Sequence, residues 1–239
     1  MKFLKKLFNI LFSPFSFLYH SVYLLSYRFY LSCLNIPIYA RFPRLTLLDL
    51  CYIFEEFLRF LCLPFRLVLS FFTAKSAFSP VYGSITFSGI AKIANSLMLN
   101  HYTVCDIGSG KGKLLFYLSI AHKCKGVGIE TYAPYVFAHR LYSFFLGLSK
   151  TITLHHHHIT TKPLPQADVY FVLGLGFDST TLTYIQEELS SLVSRSIVVS
   201  VGVLFPALSS YHRDTLSLPY SWGYCDTYIY HCIDSTDKA

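Results

Sequence analysis

Charge is what this 239-residue chain lacks. Lys, Arg, Asp and Glu make up 14% of it, against about 25% in an ordinary soluble domain. With 53% hydrophobic residues, that shortage excludes a disordered chain, a collagen-like chain and a coiled coil. Acids are scarcer than bases, 13 against 20, and tryptophan occurs once. The seven cysteines are odd in number and form no Cys-x-x-Cys pair. A disulfide framework and a zinc ribbon are thereby disfavoured, and buried free thiols in a reducing compartment are expected.

What charge there is sits unevenly. Residues 1–75 hold nine Lys and Arg against three acids, a net of +6. Residues 76–239 hold eleven bases against ten acids, a net of +1. A nucleic-acid surface would put its basic patch on the folded domain, so nucleic acid is not the expected partner. Basic residues around apolar, aromatic segments point instead to a membrane surface.

Two apolar stretches shape the N-terminal third. Leu7 to Tyr27 is a 21-residue run with no Asp, Glu, Lys or Arg, long enough for a transmembrane helix, which needs about 20 residues. Pro14 and several polar residues interrupt it, so an interfacial or re-entrant placement competes with a span. In Leu45 to Phe72, helical periodicity places Asp49, Glu55, Glu56, Arg59 and Arg66 within about 120° of one another. A wide apolar face opposes this charged stripe. Such a helix either lies in the membrane interface or packs on the following domain with its stripe outward. Ser76-Ala77-Phe78-Ser79-Pro80 reads as a linker.

Beyond it the pattern becomes α/β. Strands are expected at 102–107, 126–130, 151–156, 167–173 and 196–203, with helices at 114–122, 133–148 and 180–193. Alternation of this kind gives βαβ units and a mostly parallel sheet. Residues 220–222 and 227–232 are expected to close the edge as an antiparallel pair.

The first strand runs into Gly108-Ser109-Gly110-Lys111-Gly112-Lys113. A phosphate-binding P-loop needs Gly-Lys followed by Ser or Thr, and Lys111 is followed by Gly112. A dinucleotide fingerprint needs glycine at 113, which is Lys. Asp106, Gly108, Gly110 and Gly112 instead match the Asp-x-Gly-x-Gly-x-Gly loop of class I S-adenosyl-L-methionine-dependent methyltransferases. Glycines allow close backbone approach to a ligand. Asp106, with the loop amides from Gly108 through Ser109 to Gly112, is placed to engage the methionine amino end. Glu130 ends the next strand, where a carboxylate can accept ribose hydroxyls.

Val81-Tyr82-Gly83, Cys105 to Gly110, Gly128-Ile129-Glu130, Gly176-Phe177, Phe205-Pro206-Ala207-Leu208 and Tyr228-Ile229-Tyr230 extend the likeness. Over 81–234 the chain resembles the non-SET histone-lysine methyltransferases of the telomeric-silencing-disruptor type. It is also similar to the membrane-anchored lysine methyltransferases of the ATP synthase c subunit. The resemblance implies a Rossmann-like seven-stranded domain at 76–239 behind a membrane-associating helical segment at 1–75. It implies methylation of an amino group on a protein substrate. Tyr82, Phe177, Tyr228 and Tyr230 are the candidates to line an aromatic channel for it, Tyr228 corresponding best to a pocket tyrosine of the family, and His157 or His158 is the candidate contact for the adenine. Three positions depart from that family. Ser84 replaces a glutamate, His158 replaces an acid, and Leu173 or Gly174 stands where the family has an asparagine. A lipid or quinone methyltransferase and a non-catalytic cofactor-binding protein are the alternatives.

The run His155 to His158 invites a metal. Strand alternation leaves only two imidazoles on one side, with no Cys or acid beside them, so no metal site is assigned. Lys111 and Lys113 are expected to be solvated. Because S-adenosylmethionine is cytosolic, the domain is expected to face the cytoplasm. By the positive-inside rule that requires interfacial attachment or an even number of passes.

Overall fold

The computed structural model describes residues 26–61 and 83–231. Tyr82, the linker, and the apolar run up to residue 25 lie outside the described residues, as do residues 62–72 of the second stretch.

The sheet has seven strands in the order β3-β2-β1-β4-β5-β7-β6. They are β1 (Thr103–Ile107), β2 (Lys125–Glu130), β3 (Ile152–His156), β4 (Val169–Leu173), β5 (Ile197–Val201), β6 (His212–Tyr220) and β7 (Gly223–His231). The first five pair in parallel, and β7 runs antiparallel to both β5 and β6. Strands such as Val104-Cys105-Asp106-Ile107 are buried throughout because helices cover both faces. The order reverses between β1 and β4, so ligands are expected beyond the carboxyl ends there.

The closing hairpin differs from expectation. Its first strand is β6, and Ser221-Trp222 forms the turn instead of a strand. Gly223, at φ +136°, supplies the backbone conformation the turn demands.

Among the described residues six helices accompany the sheet: α1 (26–41), α2 (Pro43–Leu61), α3 (Phe87–Ser96), α4 (Lys113–His122), α5 (Ala133–Phe145) and α6 (Ser179–Leu192). Thr86 caps α3, its hydroxyl accepting from the Gly89 amide at 3.0 Å and donating to the Pro219 carbonyl. Phe87, Ile90, Ile93 and Ala94 then face inward at helical spacing.

The α2 helix joins the same core through Leu45, Leu48 and Tyr52, which are buried with Phe87 and Tyr117's neighbours on that side of the sheet. Burial of this kind stabilises by roughly 1.5–3 kcal/mol per side chain. Where α2 meets the domain, two of its acids turn inward. Asp49 and Glu55 reach the domain, while Leu47, Leu50, Ile53, Phe54 and Leu58 stay exposed. For these two members of the expected stripe the outward placement is not what the fold adopts. The reason is that Lys111 and Lys113 supply partners that the helix alone could not reveal. Among the described residues no helix is long and apolar enough to cross a membrane.

Candidate functional site

The site forms at the switch point. β1 delivers Asp106, then the loop 108–112 turns the chain into α4. Gly108 and Gly112 take φ of +77° and +87°, values that cost an L-residue roughly 1–2 kcal/mol. A side chain at Gly108 would also strike the Phe177 ring at 2.9 Å, and one at Gly112 the His139 ring at 2.7 Å.

The loop amides are spoken for. Gly108 and Ser109 donate to the Ile129 carbonyl at 2.9 and 3.0 Å, and Gly112 donates to the Ser109 carbonyl at 2.9 Å. Gly110 donates to Glu130 Oε2 at 2.9 Å. None of these four amides stays available as a ligand donor, which revises the expectation that they help bind the amino-acid end. Their contribution is close approach.

Glu130 is an organising residue as well as a candidate ligand. Its Oε1 accepts from the amides of Thr131 and Tyr132 at 2.8 and 2.7 Å. With Oε2 holding Gly110, one lone pair of that oxygen remains for a hydroxyl.

Asp106 is the opposite case. It is 3% exposed, and its Oδ1 has no hydrogen-bond partner. Burial, with the Glu130 charge second, pushes its carboxyl up to about 8. A buried carboxylate oxygen without a partner is costly, and a cationic ligand group would relieve that cost. The Ser109 hydroxyl is buried nearby without a partner as well.

Of the channel candidates, Phe177 stands over Gly108 and packs with the second core cluster. Tyr228 lies on β7 opposite Ser200, half-buried against that same cluster. Tyr230 is fully buried, and its hydroxyl accepts from the Phe205 amide at 2.9 Å. It is a core residue and lines no channel. His158 is exposed beyond β3, where its Nδ1 meets the Thr160 hydroxyl at 2.8 Å as the cap of a single 3-10 turn. His156 ties that segment to the Thr131 carbonyl beside Glu130. Among the described residues, no group of three or more His, Cys, Asp or Glu is arranged to hold a metal.

Sequence reasoning missed the partners of the loop lysines. Lys111 is 2% exposed and pairs with Glu55 at 2.8 Å. Tyr52 donates its hydroxyl to the Lys111 carbonyl at 3.1 Å, and its ring lies 5.6 Å from the ammonium. Lys113 pairs with Asp49 at 2.8 Å over the Phe87 ring. Asp49 is held in turn by the Tyr39 hydroxyl. Both lysines were expected in solvent, and α2 takes up both. The signal was there in part: Asp49, Tyr52 and Glu55 share one helical face, but nothing in the pattern named their targets.

With that geometry the chain can be set beside known proteins. No protein-family model matches it, and no curated protein matches it in sequence. The M1A22 tRNA methyltransferase TrmK of B. subtilis superposes with a TM-score of 0.51 at 15% identity. The match covers 61% of this chain and 66% of that one, just under two thirds of its length. This is the Rossmann-like class I methyltransferase fold. An RNA methyltransferase from Salinibacter ruber, crystallised with S-adenosyl-L-homocysteine, gives 0.49 at 18% identity, covering 61% of this chain and 90% of that one. Precorrin-6y C5,15-methyltransferase from Geobacter metallireducens GS-15 gives 0.49 at 16%, covering 60% and 87%. At such identities the likeness extends to the fold, and those substrates belong to those proteins.

Proposed function

We propose that this methyltransferase-fold chain is an S-adenosyl-L-methionine-dependent methyltransferase acting on an amino group, a protein lysine, at a membrane surface from the cytoplasmic side. One observation above all supports it. Asp106 leaves a buried carboxylate oxygen unpartnered at the end of β1, beside a glycine loop held open by Glu130.

The residues fit the cofactor. Asp106 would take its ammonium and Glu130 Oε2 a ribose hydroxyl, with the glycine loop 108–112 lying between them. The cofactor, when bound, supplies an electrophilic methyl group on a sulfonium. This chain's part is to hold the amine in line at about 3–3.5 Å and to keep water out. Phe177 and Tyr228, with Tyr82 as a further candidate, offer apolar walls that favour the neutral amine by desolvation.

A second reading is transfer to a lipid or quinone. Leu173-Gly174-Leu175-Gly176-Phe177 after β4 carries no hydrogen-bonding side chain, and Leu175 is exposed, which suits an apolar substrate. Calorimetry with S-adenosylmethionine tests the core of the proposal. Wild type should bind, while Asp106→Ala and Glu130→Ala should not. Absence of binding by wild type refutes it. Tritiated-methyl labelling of membrane fractions then separates the two readings, since label in the lipid extract and none in protein rejects the lysine substrate.

A further inference from the structure

The exposed face of α2 asks for a partner. Leu47, Leu50, Ile53, Phe54 and Leu58 are each between 43% and 61% exposed. At about 100° per residue they share one side of the helix, opposite Leu45, Leu48 and Tyr52. Asp49 and Glu55 are turned inward onto Lys113 and Lys111. Among the described side chains the outer face therefore has no acid on it. Its border is cationic: Arg44 lies about 60° from Leu47 around the helix, and Arg41 and Arg44, on either side of the α1–α2 junction, are exposed.

The neighbouring helix adds exposed apolar side chains. Tyr142 of α5 packs edge-on against Tyr52 at 5.2 Å and donates its hydroxyl to Glu55. On the same helix Phe137, Phe144 and Phe145 are about 70% exposed. Acids paired on the inner side, exposed arginines and large apolar side chains are the makings of a helix lying in an interface.

We infer that the outer face of α2, extended by α5, seats on an anionic lipid surface. Charge decides among the possible occupants. A second copy of the chain would add the same arginines and no described acid to the contact, because a two-fold contact uses the same face on both sides. Anionic headgroups neutralise them, at roughly 1 kcal/mol for each basic residue near the surface. The inference deepens the membrane part of the proposed function and does not depend on methyl transfer. It also gives α2 two jobs, since the same helix holds Lys111 and Lys113 of the glycine loop from its inner face.

The test uses the full chain and phosphatidylcholine vesicles with roughly 30% phosphatidylserine and brominated acyl chains. Wild type carries Trp222 as its one indole and serves as the background. A Phe54→Trp variant adds a reporter on the proposed face, and its added emission should shift to shorter wavelength and be quenched severalfold more than Trp222. Leu50→Glu with Phe54→Glu should weaken partitioning about tenfold or more. Cofactor affinity should be unchanged in that variant, which keeps this test separate from that of the cofactor site. Three results overturn the inference. An unquenched indole at position 54 on vesicle-bound chain would assign the attachment to another segment. A lipid-independent shift that grows with protein concentration would make the face a contact between copies. One that is concentration-independent would mean that residues 62–82 cover it.

Discussion

Cofactor binding should depend steeply on pH through one residue. Asp106 has a carboxyl pushed up to about 8, by burial first and by the Glu130 charge second. It must ionise before it can pair with the ligand's ammonium. Below that value the folded protein keeps a proton that an ordinary carboxyl, titrating near 3.9, has lost. At pH 7 roughly one molecule in eleven carries the charge, and at pH 6 roughly one in a hundred. The apparent Kd should therefore weaken about fivefold from pH 8 to pH 7 and about ninefold more from pH 7 to pH 6. Calorimetry in buffers of different ionisation enthalpy should report release of close to one proton on binding near pH 7. The Asp106→Asn variant should bind weakly, with no slope over this range. A flat wild-type Kd between pH 6 and pH 8, or the same slope in Asp106→Asn, would refute the reasoning. The sign for the free protein is the reverse. A raised carboxyl stabilises the fold below about pH 4, and that stabilisation is lost as pH rises towards 8.

Other outcomes follow from the same geometry. Gly108→Ala should cost roughly 1–2 kcal/mol in urea unfolding from its positive φ, with a further penalty from the Phe177 ring. Lys111→Met should cost about 1–3 kcal/mol, less than a fully buried pair because Glu55 keeps 26% exposure. Adding Glu55→Leu should recover most of that loss, and failure to recover it would deny the pair its role in holding the loop. His139 has no hydrogen-bond partner on either ring nitrogen, and burial pushes it down to about 4. The unfolded chain takes up a proton below about pH 6.5 that the fold refuses, so stability should fall as pH drops from there towards 4. Because the Asp106 slope opposes this one, it is read as the difference between His139→Leu and wild type. That difference should change by about 1.6 kcal/mol from pH 6.5 to pH 5, and no change would refute a neutral buried imidazole.

The order of strands and helices was legible in the residues. Short Val- and Ile-rich runs alternate with longer amphipathic ones, and each periodicity is local. The glycine loop and Glu130 were legible too, since spacing along a strand-turn-helix is fixed by backbone geometry. The limits of β6 escaped because His212 to Tyr220 mixes polar and apolar residues, and its partner β7 defines it. Tyr230 looked like Tyr228 in sequence, and only the Phe205 amide above its hydroxyl separates them.

The shortage of charge takes on a sharper meaning. By itself the sequence determined that the N-terminal third is basic and apolar and that a cofactor loop of one kind follows it, because composition and spacing are properties of the chain. Only the tertiary structure decided where the few charges go. It turned Asp49 and Glu55 inward onto Lys113 and Lys111, because a buried ammonium requires a partner. It left one carboxyl oxygen of Asp106 without one, and it set the apolar side of α2 facing out.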